Sequence, residues 1–336
     1  MTEPLDVVDL ARQLMRVDST SGSETPLMTH VHALLEARGW RVTRIPVSEE
    51  RFALFASGGE REFVTLSTHL DTVPPYIPPR LEGDTLWGRG ACDAKGIAAA
   101  MMCAAELLRV EGVPVAMLFV VGEEVSHDGA HASNDWIAGS GLTSRAIVDG
   151  EPTESLLGRG TKGAVRITVR TRGEPAHSAY PHLGHSAIDD LVSLLAELPS
   201  LRLPVSDTLG STTVNIGHIS GGVADNVVAP WAEARLMART VSPLDDVMRV
   251  FDQWAAGRAE LELGVMVPPV ELEVVPGFDT DVVAFATDIP ALTNWGRPCL
   301  FGPGSIHVAH RDDEHVRVPE LRAAVDAYMR LVRSLG

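Results

Sequence analysis

The apolar run Val115-Ala-Met-Leu-Phe-Val-Val121 ends on Gly122 and two adjacent carboxylates, Glu123 and Glu124. Taken alone, such a pair is ordinarily a solvated turn, since strands commonly end in polar residues. Other acids and imidazoles along the chain compete with that reading. His69 and Asp71 sit two residues apart after the run Phe63-Val-Thr-Leu66, so in an extended segment both side chains leave the same face. Asp93 stands in the glycine-rich turn "LWGRGACDAKG" ahead of a small-residue helix, where an Asp N-cap is the competing explanation. Glu151 follows the short run Ala146-Ile-Val148, and His307 and His310 lie near the C-terminus. With a C-terminal histidine, His69, Asp93, Glu124 and Glu151 form a donor set of imidazoles and carboxylates suited to zinc, cobalt or manganese. They exceed what one tetrahedral ion needs. Two divalent ions about 3.5–4 Å apart, sharing a bridging carboxylate, would use them all.

The elements around these residues bring them to one place. Phe63–Leu66, Val115–Val121 and Ala146–Val148 have strand character, and Ile97–Val110 reads as a helix closed by Gly112. Pro26–Arg38 has the apolar spacing of an amphipathic surface helix and stops at Gly39. Alternating strands and helices predict a mostly parallel mixed α/β sheet covered on both faces. In such sheets ligands bind outside the carboxyl ends of the strands. The three acidic clusters all follow such ends.

From about Gly160 the texture changes. Ala164–Arg170, Thr212–Ile219 and Glu233–Thr240 alternate as half-buried strands do; Ser186–Leu198 and Pro243–Trp254 are helical; Val270–Val275 reads as a strand. That βαββαβ order is the ferredoxin-like arrangement. The sequence therefore predicts a first domain of residues 1–158 and 272–336, with residues 159–271 inserted as a second. A closing helix is expected from Pro319 to about Leu335.

Composition narrows the function classes. The 28 Lys and Arg against 45 Asp and Glu leave a net charge of −17, which repels nucleic-acid backbones and anionic membrane surfaces. A hydrophobic content of 45% and a mean hydropathy of +0.08 fit a soluble globular protein. Cys92, Cys103 and Cys299 are too few and scattered for a disulfide framework. The N-terminus lacks the basic start and apolar stretch of a secretory signal. A cytoplasmic setting is expected.

Five motifs in register, "STHLDTVP", "GRGACDAKG", "VVGEEVSHDGA", "VDGEPT" and "AHRDDEH", closely resemble the dinuclear metallopeptidase and deacylase family of acetylornithine deacetylase, succinyl-diaminopimelate desuccinylase and glutamate carboxypeptidase. The likeness runs from about Asp18 to Val316. It implies that His69, Asp93 and Glu151 hold one ion and Asp93, Glu124 and His310 the other, Asp93 bridging. It further implies that Asp71 orients His69 and that Glu123 is the general base. The inserted segment matches the family's dimerisation domain, which implies a homodimer. His177 would reach the partner's active site and stabilise an oxyanion, although as a residue it reads as a surface-loop histidine. Asn226 and Arg239 would contact substrate, Arg239 by a bidentate grip on a carboxylate. Gly304 and Ser305 resemble the family's substrate loop.

The reading is a metal-dependent amidohydrolase acting on an N-acyl amino acid or short peptide, with acetylornithine deacetylase-like activity as its first form. A hydrolase freeing lysine or ornithine from an acidic carrier protein, a succinyl-diaminopimelate desuccinylase and a dipeptidase are the alternatives, and the −17 charge opposes the acidic carrier. From another class comes a non-catalytic metal-binding interaction protein. Against it stands Glu123, a carboxylate that a mere scaffold would not need beside Glu124.

Overall fold

The computed structural model describes residues 4–336 and divides them into two compact units. The first comprises the chain up to Arg159 together with Leu272–Asp281 and Thr287–Gly336; the second comprises Gly160–Glu271 and Val282–Ala286. Along the first unit run α1 (Val7–Met15), α2 (Thr25–Ala37), β1 (Arg41–Pro46), β2 (Phe52–Ser57), β3 (Glu62–His69), α3 (Lys95–Val110), β4 (Val115–Val120), α4 (Asp128–Ser140) and β5 (Thr143–Asp149). The second unit contributes β6 (Gly163–Arg172), α5 (Ala187–Glu197), β7 (Thr213–Gly221), β8 (Trp231–Thr240), α6 (Leu244–Ala255) and β9 (Glu260–Val267). The chain returns to the first unit for β10 (Arg297–Leu300) and α7 (Val318–Leu335).

The sheet of the first unit has the order β1-β2-β4-β3-β5-β10. β4, β3, β5 and β10 run parallel, while β1 and β2 add an antiparallel edge. Period-two alternation divides its side chains between two cores. Met117, Phe119, Val64 and Leu66 pack with α1, α3 and α7; Ala116, Leu118, Val120, Phe55 and Phe63 pack with α4 and Trp295. α3 is buried along nearly its whole length, which its run of small residues allows. Among the described residues, no helix is long and apolar enough to cross a membrane.

Register sets where the chemistry falls. His69 pairs with Val120 across β3 and β4, Ser67 with Asp149 across β3 and β5, and Asp149 with Leu300 across β5 and β10. The four parallel strands thus end at one level, and the segments carrying Asp71, Glu123, Glu151 and Gly302–Ser305 all leave the sheet there.

The second unit is an antiparallel sheet of order β7-β8-β6-β9. Val165, Ile167, Val169, Ala234 and Leu236 bury one face against α5 and α6. Its closing strand is β9, not the expected Val270–Val275, of which only Val270–Glu271 forms a strand, paired with Gly160–Thr161. Glu260–Val267 carries the same alternating signal, but its register with β6 shifts between Leu263 and Met266, around Gly264. That irregularity hides the period-two pattern in the sequence. The helix α1 went unread although Val7, Leu10, Ala11, Leu14 and Met15 have regular helical spacing and are buried along one face.

Phe119 is fully buried at the centre of the first unit's sheet. Phe119→Ala is expected to cost about 3–5 kcal/mol through lost transfer energy and a residual cavity. Urea unfolding followed by fluorescence checks this; an unchanged midpoint would show that the site collapses around the deletion.

Candidate metal centre

One buried carboxylate organises the ends of β3 and β4. Asp71 Oδ1 accepts a hydrogen bond from the Glu123 amide at 3.2 Å, and its Oδ2 accepts from the Glu124 amide at 3.2 Å and from Ser21 Oγ at 2.8 Å. The two adjacent glutamates are therefore no solvated turn: a side chain from the segment that follows β3 holds their backbone. His69 Nδ1 lies 3.1 Å from the Asp71 carbonyl oxygen and 3.6 Å from its Oδ1, so the ring is oriented as much by the backbone as by the carboxylate. Burial would raise the Asp71 pKa, but His69, Ser21 and the Glu124 amide hold it below the usual range.

The turn after β4 requires its glycine. Gly122 has φ +77°, and a Cβ there would sit 2.2 Å from Asp128 Oδ1. Arg51 pairs with both Glu24 and Asp128 at the same place, at 2.8 and 2.6 Å. This frees Glu123 and Glu124 to point differently, as two successive residues of one strand could not when both must enter the same site.

Asp93 sits between two imidazoles. His69 Nε2 is 3.0 Å from Asp93 Oδ1, and His310 Nε2 is 3.1 Å from Asp93 Oδ2. His310 Nε2 also lies 3.0 Å from Glu124 Oε2, and His69 Nε2 lies 3.8 Å from Glu151 Oε1. One carboxylate thus faces a donor pair on each side. Donor atoms of His69, Asp93 and Glu124 come within 4.8 Å of one another, as do those of His69, Glu123 and Glu151. His310 adopts φ +65°, a conformation costly for a non-glycine residue and found where the surroundings demand it.

Electrostatics show what such a cluster fits. Burial, opposed by His69 and reinforced by the charges of Asp288, Asp93 and Glu124, pushes the Glu123 carboxyl well above the usual range. Burial does the same to Glu151, where Glu123 adds to it. Hydrogen bonds to Asp93 and Glu124 push the His310 imidazole up to about 10. His69 is held high by Asp71 and Asp93, although burial alone would lower it. The carboxyl groups of Asp71, Asp93, Glu123, Glu124, Asp149, Glu151 and Asp288 outnumber the imidazoles of His69, His127 and His310. So dense a set of acids favours bound cations, and its oxygen and imidazole donors suit divalent ions of the zinc type.

The remaining predicted residues stand elsewhere. Gly304, with φ +83°, packs against Cys92, and its carbonyl accepts from the Glu154 amide at 2.8 Å. Ser305 Oγ donates to Glu154 Oε1 at 2.5 Å. The Gly302 amide is taken by Thr153 Oγ1 at 3.0 Å, so this loop offers fewer free amides than its sequence suggests. His307 is exposed. In the second unit His177 and Asn226 are both exposed, and the Ser178 amide donates to the Asn226 carbonyl at 2.9 Å. Arg239 is half-buried on β8, between Thr213 of β7 and Ala164 of β6. The helix α5 is capped by the Ser186 side chain, and His185 Nε2 lies 2.5 Å from Asp190 Oδ2.

Sequence reasoning missed Ser21, the pair of His127 and buried Asp288 at 2.8 Å, and the buried pair of Arg89 and Glu314. Glu314 lay inside a motif already singled out, "AHRDDEH". No local signal marked Asp288.

Residues 159–261 match the peptidase dimerisation domain of the M20 family. The M20 peptidase domain-containing protein of Schizosaccharomyces pombe is 35% identical over 97% of this chain and 84% of its own length. A protein of Aspergillus clavatus named "probable carboxypeptidase" is 36% identical over 96% of this chain and 81% of its own. The M20 metallo-carboxypeptidase of Sulfolobus solfataricus, 14% identical, has the same fold, with a TM-score of 0.76 over 98% of this chain and 99% of that one.

Asp71→Asn is expected to weaken binding of Zn²⁺ or Co²⁺ about 10- to 100-fold, because the histidine and both glutamates lose their common support. Calorimetric titration of the metal-stripped protein measures this. Affinity equal to wild type would refute the supporting role of Asp71.

Proposed function

The chain belongs to the M20 peptidase family, and on that premise we propose that it is a metal-dependent amidohydrolase releasing an amino acid with a free carboxylate from an acyl or peptidyl group. Removal of a C-terminal residue from a peptide and deacylation of an N-acyl amino acid both fit, since each cleaves an amide whose leaving amine belongs to an amino acid. The relative from Aspergillus clavatus, named for a carboxypeptidase, favours the first. Acetylornithine deacetylase-like specificity is the second reading and uses the same groups. The dimerisation-domain match supports a homodimer. Three buried free cysteines are consistent with a cytoplasmic setting.

What carries the reading is Asp93, with one oxygen toward His69 and the other toward His310, beside a carboxylate, Glu123, of raised proton affinity. His69, Asp93 and Glu151 would hold one divalent ion and Asp93, Glu124 and His310 the other, with zinc, cobalt or manganese all suited to the donors. When bound, the ions supply Lewis acidity, polarising the scissile carbonyl and acidifying the attacking water. Glu123 takes the proton of that water and hands it to the leaving amine, a task that requires a carboxyl tuned toward neutral pH. Asp71 keeps His69 and the Glu123 backbone in place throughout. Arg239, Asn226, Gly304 and Ser305 are the proposed substrate contacts, and His177 the proposed oxyanion donor.

Glu123→Gln is expected to lower kcat about 10²- to 10⁴-fold with metal content unchanged. Steady-state kinetics and elemental analysis of the same sample test this, and near-wild-type turnover would sink the base assignment. N-blocked dipeptides, N-acetylornithine and N-succinyl-diaminopimelate, each assayed with and without a chelator, separate the substrate readings. Chelator-insensitive hydrolysis would overturn the metal-dependent mechanism.

A further inference from the structure

The proposed mechanism leaves unused a fully buried ion pair beside the metal centre. Arg89 and Glu314 are 1% and 0% exposed in their side chains, and Arg89 Nη1 lies 2.6 Å from Glu314 Oε2. The other oxygen of Glu314 accepts hydrogen bonds from the Cys92 and Asp93 amides, both at 3.3 Å. Arg89 also donates to the carbonyls of Arg311 and Pro75, at 3.2 and 3.3 Å. The Gly88 amide reaches the Glu314 carbonyl at 3.0 Å.

These contacts join two segments more than two hundred residues apart in sequence. One carries Asp93 and the other carries His310, directly before Arg311. Their side chains meet 3.1 Å apart. A carboxylate is costly to bury, and an apolar pair of similar volume would hold two loops together at least as well. Packing alone therefore does not account for Glu314, whereas the geometry of its two oxygens does.

We propose that Glu314 is a positioning residue of the metal centre. Its Oε1 fixes the peptide from which the Asp93 carboxylate projects between His69 and His310. Its Oε2, through Arg89, ties that peptide to the loop that bears His310. The function rests on the metal-centre reading above, and concerns how firmly the bridging carboxylate is aimed rather than which groups do the chemistry. The antiparallel pairing of Thr85–Trp87 with His315–Arg317 offers a rival account, in which that pairing alone sets both loops.

The test uses Co²⁺ alone, titrated into the metal-stripped full-length chain by calorimetry and by its visible absorption, with thermal unfolding of the metal-stripped samples alongside. Three variants separate stability from positioning: Glu314→Gln, Glu314→Met, and the double variant Arg89→Met/Glu314→Met. Glu314→Gln keeps an acceptor for both amides but loses the link to Arg89 and leaves its charge uncompensated; it is expected to unfold at lower temperature than the double variant while binding Co²⁺ more tightly than that variant does. The double variant removes the buried charge and the acceptor together. It is expected to be more stable than Glu314→Met, yet to bind Co²⁺ about 10- to 100-fold more weakly than wild type with an altered spectrum. The Gln and double variants decide the matter even where Glu314→Met does not fold. Affinity that follows stability across the series, or wild-type affinity in the double variant, overturns the positioning role. Absence of Co²⁺ binding by the wild-type chain overturns the metal-centre reading itself, and the proposal with it.

Discussion

Everything at this site depends on concentrating buried negative charge without letting it scatter the chain. Carboxylates brought together out of water repel one another and lose hydration, and several respond by binding protons more tightly. The fold compensates with directed hydrogen bonds. Asp71 collects the two glutamate amides and Ser21, and Glu314 collects the Cys92 and Asp93 amides. In both cases backbone N–H groups hold part of the carboxylate, while Ser21 and His69 complete the surroundings of Asp71 and the Arg89 guanidinium neutralises Glu314.

The sheet supplies the platform for this arrangement. Parallel strands buried on both faces must leave the sheet by loops at its ends, and their register brings four such exits to one level. Tight turns there need backbone shapes closed to most residues, which explains Gly122 and Gly304. The second unit follows a separate logic, with an antiparallel sheet covered on one face by two helices.

Much of this architecture was legible in the sequence where the hydrophobic period was clean. The three parallel strands β3, β4 and β5, the helices α2, α3 and α7, and β6, α5, β7, β8 and α6 of the second unit follow from alternation or helical spacing. The reading failed where a register shift interrupted the alternation, as in Glu260–Val267, and it passed over α1 despite that helix's regular apolar spacing. His69, Asp93, Glu124, Glu151 and His310 each had an ordinary structural explanation when taken alone, and were singled out together by their combined donor chemistry and by five motifs that resemble a known family.

By itself, the amino-acid sequence determined which donors exist and on which segments they lie, because residue type and local period are local properties. Only the tertiary structure decided that Asp93 faces two imidazoles, that Asp71 grips the backbone of Glu123 and Glu124, and that Arg89 and Glu314 are wholly buried. Each of these joins residues distant along the chain. Contacts of that kind arise from strand register and from the return of the C-terminal segment to the first unit, and no window of local sequence contains either.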